Sequence, residues 1–358
     1  MKTKIDLGIL YSRSGTYSAL SEAQYRGAMR AINEINASDA FTVEFRPITR
    51  DPKGQLDQYA PLSAEILQSS DAEHIIGCVT SSSRKEVIPV LDRTGAMLWY
   101  NTPYEGFETS NRVIYSHTCA NQNVLPLMRW CFRNIGLNAY LTGSNYIWGW
   151  ETCRVARGCM DEAGGKVLGE RFLPLDDEDI TALIADIETA RPEFIFNSLV
   201  GASSYAFIKA YQALGLRDPY FTAENCPIVS CNLTECELPM LGTAAEGLIS
   251  VGPYFCKDHS TAGHGSSLEV TAYRSVFTLA DVLMRKGNMP FDGYVADHGA
   301  HHGIDPDTFH RTLDVNVAQI RDGRFEVVCE WSGIAPDPYL TRPARHPMVE
   351  TPKLKVVS

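Results

Sequence analysis

Residues 96–108 read AMLWYNTPYEGFE, and the change of character inside that stretch decides how the chain folds. Ala96 to Trp99 form a short apolar run after Gly95, a length and composition that suit a buried strand better than a helix. Tyr100 and Thr102 then place hydroxyls, and Pro103 a stiff turn, directly past the C-terminal end of that strand. In open α/β sheets this is where ligands bind.

Outward from that strand, apolar runs alternate with amphipathic helical stretches. Strands are expected at IDLGIL (5–10), FTVEFRPI (41–48), IIGCV (75–79) and AMLWY (96–100), with helices over Ala19–Ile35, Ala60–Gln68 and Ser83–Arg93. A second series repeats the pattern: NAYLTG (138–143), a helix over Glu151–Ala163, KVLGERFL (166–173), a helix over Ile180–Ala190, EFIFNSLV (193–200) and a helix over Ser203–Leu214. A long helix, Leu268–Lys286, follows; 287–310 reads as irregular, and VNVAQI and RFEVVCEW pair around the turn Arg321, Asp322, Gly323. Alternating strands and helices predict parallel sheets with crossover helices, here in two similar α/β halves. No flexible tether separates them, which predicts a hinged clamp.

The composition narrows the function. The 358 residues are 44% hydrophobic, enough for two lobes of ordinary size. Lys and Arg total 32 against 43 Asp and Glu, and a net charge of -11 without a basic cluster argues against direct contact with nucleic acid. No stretch is long and apolar enough to insert in a membrane. The ten cysteines are scattered, several within apolar runs such as IIGCV, where a free thiol behaves as a small hydrophobe. With MKTKIDLGIL read as a first strand and not a signal segment, the expected location is the cytoplasm. The alternative is the periplasm, if a leader has been removed.

Strand ends are the places to look for chemistry. VTSSSRK (79–85) offers Ser81, Ser82 or Ser83 as a helix N-cap, and one cap leaves hydroxyls over. YNTPYEG adds Tyr100, Thr102 and Pro103; GSNYIWGW (143–150) adds Tyr146 and Trp148; SLVGASS (198–204) adds Val200 and Gly201. Taken singly, each ring can pack in a seam and each hydroxyl can cap a helix. Their recurrence at four strand ends favours a box for a neutral, hydrogen-bonding, partly apolar molecule, with no charge at its centre. Glu105 and Glu108 read as exposed acids in a turn. A Gly-x-Ser-x-Gly elbow is absent, SRSGTYS (12–18) has a single glycine, and no enzyme activity is expected. Neither Cys226, Cys231 and Cys236 nor the loop histidines His298, His301, His302 and His310 match a zinc pattern, so no metal or cofactor is expected, and the histidines read as solvent-exposed.

The blocks IIGCVTSSSRKEVIPV, WYNTPYEGFETS, ANQNVLPL, GSNYIWGWE, NSLVGASS, EGLISVGPYF and IAPDPY, in that order, resemble the amide-sensing regulators of aliphatic amidase operons, relatives of urea-binding and branched-chain amino-acid receptors. The resemblance implies a type I periplasmic-binding-protein fold: two Rossmann-like lobes joined by three crossover segments, with a ligand cleft between them. It implies lobe 1 as residues 1–120 with 253–326, lobe 2 as 121–252 with 327–345, and a tail at 346–358. The binding positions fall on Ser81, Tyr100, Thr102, Pro103, Tyr146, Trp148, Val200 and Gly201. Val79 and Trp148 stand where the amide sensors carry tyrosines, and Glu224 stands near an acid that meets the ligand ammonium group in amino-acid receptors. The implied ligand is a short-chain amide, and the implied partner an RNA-binding antiterminator protein, with a homodimer left open. The alternative role is an extracytoplasmic receptor of an ABC transporter for urea, short amides or branched-chain amino acids.

Overall fold

The computed structural model describes residues 2–106, 108, 110–257 and 265–341. In chain order the elements are β1 (Thr3–Leu10), α1 (Ser18–Ala37), β2 (Val43–Arg50), α2 (Tyr59–Gln68), β3 (His74–Gly77), α3 (Ser81–Thr94), β4 (Met97–Tyr100) and β5 (Val113–Tyr115). Then come α4 (Val124–Asn134), β6 (Asn138–Ser144), α5 (Ile147–Ala163), β7 (Lys166–Leu173), α6 (Thr181–Ala190), β8 (Phe194–Ser198), α7 (Gly201–Arg217), β9 (Ile228–Ser230), α8 (Leu238–Leu241) and β10 (Ile249–Gly252). The chain closes with α9 (Ser267–Arg285), α10 (Phe291–His298), β11 (Leu313–Arg321) and β12 (Arg324–Ile334).

These elements form two compact units. Unit 1 holds the described residues up to Thr118 and those from 265 to Thr312; unit 2 holds Cys119–Lys257 and the described residues from Leu313 on. The chain therefore passes from one unit to the other three times. Unit 1 contains a five-stranded sheet in the order β2-β1-β3-β4-β5, and each of its pairings is parallel. Unit 2 contains a seven-stranded sheet, β12-β11-β10-β9-β8-β6-β7. Its five parallel strands repeat the order of unit 1, since β7-β6-β8-β9-β10 is again second, first, third, fourth, fifth. That order reverses direction between the first and third strands, and loops beyond the C-terminal ends there open a crevice for ligands.

Burial follows from the sequence pattern. Leu7, Ile9, Ile75, Ile76, Leu98, Trp99 and Ile114 on consecutive strands of unit 1 are fully covered, as strands of a parallel sheet must be when helices lie on both faces. Unit 2 packs Leu183, Ile187, Ile195, Phe207, Leu214 and Ile228 in one cluster. The hairpin at the end turns on Asp322 and Gly323, with φ of 49° and 70°, the left-handed pair that a two-residue turn between twisted strands requires.

The structure departs from the sequence reading in two places. Residues 291–298, expected to be irregular, form α10, whose apolar Phe291, Tyr294 and Val295 recur on one face and are buried. The expected lobe boundary kept 253–326 together with the first lobe. Here β11 pairs antiparallel with β10, Val251 opposite Val317, and β12 pairs with β11, so Leu313–Arg321 and Arg324–Ile334 lie in the sheet of unit 2. The tail proposed at 346–358 lies outside the described residues.

Candidate functional site

In unit 1 the loop after β3 begins with strain. Cys78 is buried and holds φ at 66°, a left-handed conformation that costs a non-glycine residue about 1–2 kcal/mol, and outliers of this kind cluster at binding sites. Its N–H is tied to Leu10 O at 3.0 Å, fixing the direction in which the chain leaves the sheet. Burial pushes the Cys78 thiol up to about 12, so it stays protonated. Two residues later Thr80 caps α3: its side chain accepts from the Ser83 N–H, and Ser83 reciprocates as a capping box. The cap is thus Thr80 and none of the three serines. Val79 is buried, and its N–H meets Ser83 Oγ at 3.3 Å.

Ser81 occupies the first turn of α3 and is buried. Its hydroxyl donates to Glu105 Oε2 at 2.6 Å. Glu105 is 2% exposed, which corrects its reading as an exposed acid in a turn. Its other oxygen, Oε1, accepts from Arg84 Nη2 at 2.8 Å, and Arg84 Nε bonds Glu108. Arg84 is fully buried and its guanidinium carbon lies 4.5 Å from the Tyr100 ring centre and 4.9 Å from that of Tyr104. The expectation of a box without charge therefore fails in unit 1: a paired ionic cluster lies directly behind Ser81. A buried arginine is tolerated because two carboxylates and two ring faces replace its water. Burial raises the Tyr100 phenol well above its ordinary range, so it is a neutral hydroxyl.

The loop after β4 is held from several sides. Asn101 is buried, gives Nδ2 to Tyr11 Oη at 3.1 Å and accepts from Ser275 Oγ at 2.5 Å. Gln24 of α1, also buried, donates from Nε2 to Asn101 O and to Thr102 Oγ1, both at 2.9 Å. A carbonyl oxygen only accepts, so the Asn101 contact fixes which end of the Gln24 amide faces the loop. Thr102 is half-buried and Pro103 buried. Beyond them Tyr104 N–H bonds Thr118 O at 2.8 Å. His310, expected at the surface, is buried with its ring stacked on Tyr115 at 4.2 Å, and burial lowers it to about 3.

Unit 2 presents different chemistry at the equivalent strand ends. After β6, Tyr146 stands at the N-cap of α5, half-buried, and Trp148 lies in the first turn of that helix, buried. The helix begins four residues before the expected Glu151. Trp148 Nε1 is buried without a hydrogen-bond partner among the described residues. After β8, Val200 is the N-cap of α7, its N–H held by Ser144 Oγ at 3.1 Å, and Gly201 follows with φ of 61°. A side chain would be strained at that φ, which accounts for glycine at the helix start. Glu224 is not part of this group. It is exposed in the turn that leads into the N-terminal end of β9, the end of the sheet opposite to the loops after β6 and β8.

Of the residues named from sequence, Val79, Ser81, Tyr100, Thr102 and Pro103 cluster beyond β3 and β4 of unit 1, whereas Tyr146, Trp148, Val200 and Gly201 cluster beyond β6 and β8 of unit 2. Gln24, Arg84 and Glu105 were missed as functional groups. The signal for Arg84 and Glu105 was present: RK in the first turns of a helix and EGFE after a neighbouring strand are charges where an uncharged box of hydroxyls and rings was expected. Among the described residues, no three His, Cys, Asp or Glu side chains are arranged to hold a metal ion.

Two α/β units of one strand order, second-first-third-fourth-fifth, define the fold class of the periplasmic binding proteins. The chain belongs to the periplasmic binding protein domain family, which matches residues 5–285. Solved structures resemble it over nearly the whole length. A solute binding protein of an ABC transporter from R. palustris, in complex with 4-hydroxybenzoate, superposes with a TM-score of 0.79 at 20% identity, covering 95% of this chain and 100% of that one. A second, from Rhodopseudomonas palustris HaA2 with p-hydroxybenzoic acid, gives 0.81 at 18% identity over 95% and 100%. The branched-chain amino acid transporter substrate binding protein of Streptococcus pneumoniae, in complex with isoleucine, gives 0.77 at 13% over 93% and 100%. The fold is thus that of a type I periplasmic binding protein.

Proposed function

We propose that the protein binds a short neutral amide or urea, and that it serves as the solute receptor of an ABC transporter. One observation carries the ligand class. The two hydroxyls beyond β3 and β4 are committed in opposite senses: Ser81 spends its hydrogen on Glu105, and Thr102 spends a lone pair on Gln24. Ser81 is left as an acceptor and Thr102 as a donor. A primary amide supplies the complement, N–H toward Ser81 and C=O toward Thr102, on adjacent parallel strands. A carboxylate would set oxygen against the Ser81 lone pairs.

A benzoate-like acid, as bound by two of the structural neighbours, is the second reading. Arg84 Nη1, buried without a hydrogen-bond partner among the described residues, favours it. Against it, the same guanidinium already faces two carboxylates. The amino-acid reading loses its ammonium partner with Glu224 at the surface.

The family supports the receptor role, which would be exercised in the periplasm. The narrower role, a cytoplasmic amide sensor that restrains an RNA-binding antiterminator, rests on the resemblance of the TPYEGFE block, of which Phe107 lies outside the described residues. Titration calorimetry with acetamide, propionamide, urea, leucine and 4-hydroxybenzoate tests the ligand class. Heat from the first three alone is expected; tight binding of leucine or 4-hydroxybenzoate with none of the amides would overturn it.

A further inference from the structure

We propose that Glu105 is the positioning residue that makes the unit 1 site select an amide over the isosteric carboxylate, by fixing the direction of the Ser81 hydroxyl. The inference rests on the amide reading above and deepens it. Ser81 Oγ to Glu105 Oε2 is 2.6 Å and buried, and an ionised carboxylate can only accept, so the hydroxyl hydrogen is not free for a ligand. Arg84 Nη2, 2.8 Å from Oε1, holds the carboxylate in the plane that makes this bond. The charge of Glu105 thus reaches a ligand as a lone pair on a serine.

The geometry makes the consequence of Glu105→Gln specific. Arg84 only donates, so the new amide must turn its oxygen toward Nη2 and its nitrogen toward Ser81. That nitrogen donates to Ser81 Oγ. The serine hydrogen is released toward the ligand, and Ser81 changes from acceptor to donor. The substitution also removes one negative charge from a cluster in which Glu105 and Glu108 face Arg84. Both changes favour a carboxylate. A purely structural role for Glu105 would weaken all ligands together and leave their ratio alone.

The test is the affinity ratio of acetamide to acetate at one pH above 6, where acetate is ionised, in the parent, in Glu105→Gln and in Ser81→Ala. The parent is expected to prefer acetamide by at least about tenfold, one buried hydrogen bond's worth. Glu105→Gln is expected to reverse the order. Ser81→Ala, which keeps the Glu105–Arg84 pair and guards against a poorly folded glutamine variant, is expected to bring the two ligands to within about threefold. A preference for acetamide in the parent that survives unchanged in both variants overturns the role of Glu105. A parent without that preference overturns the amide reading itself.

Discussion

The two units repeat one strand order and differ in what they put behind the strand ends. In unit 1 the loops after β3 and β4 are backed by Arg84, Glu105 and Gln24, so the Ser81 and Thr102 hydroxyls each have their direction set by a buried polar group. In unit 2 the loops after β6 and β8 end in Trp148, Val200 and Gly201, with backbone groups tied to Ser144. The same topology can therefore carry recognition of polarity in one unit and recognition of shape in the other. Fold alone prescribes neither.

The contrast is open to direct attack. Arg84→Ala should do most damage, because it strips the fully buried Glu105 carboxylate of its cation: about 3–5 kcal/mol lost in urea unfolding. Val200→Ala in unit 2, at the helix N-cap that answers to Thr80, removes only packing and should cost roughly 1.5 kcal/mol. Equal costs would mean that the ionic cluster is no more than another part of the core.

The units should also answer pH with opposite signs. In unit 1, His74, His117 and His310 are held neutral by burial, each lowered to about 3. Below the ordinary histidine value of 6.5 the unfolded chain takes up protons that the folded unit refuses, so their contribution to stability is lost as pH falls from 6.5 toward 3. In unit 2, Glu237 is buried, accepts from Tyr205 Oη at 3.1 Å and from Thr234 N–H at 3.1 Å, and burial raises it to about 7. Between 4.5 and 7 the folded unit keeps a proton that the unfolded chain releases, so stability falls as pH rises through that window. Denaturant unfolding of Glu237→Gln at pH 5 and pH 7.5 should show this decline removed, by on the order of 1–3 kcal/mol relative to the parent. An unchanged slope would place the titration elsewhere.

Smaller effects sharpen the picture of the site. Thr102→Val should weaken amide binding about ten- to a hundredfold. It should also cost the ligand-free protein about 1 kcal/mol, since one Gln24 N–H loses its acceptor. Calorimetry and a thermal melt on the same sample check both. Gly323→Ala, at φ of 70° in the hairpin turn, should cost about 1 kcal/mol and leave ligand affinity alone.

The sequence was legible where local pattern decides. KVLGERFL at 166–173 coincides with β7, and the Asp-Gly turn sits where two alternating runs predict a hairpin. Short elements such as β5, β9 and α8 escaped, because three or four residues carry no period. The positions beyond the strand ends were also legible, since topology puts crevices there. Their polarity was not. Thr102 takes its role from Gln24, 78 positions earlier, and Glu105 is buried only because Arg84, 21 positions before it, reaches the same place from α3. General exposure statistics for glutamate describe residues without such a partner.

The central claim is that the unit 1 strand ends offer one acceptor and one donor to a neutral amide. Competition calorimetry of the parent protein with acetamide against acetate, ligands of nearly equal shape, tests it most directly. Acetamide is predicted to bind at least about tenfold more tightly, with the gap lost in Ser81→Ala; acetate binding as tightly as acetamide, or more so, would contradict it.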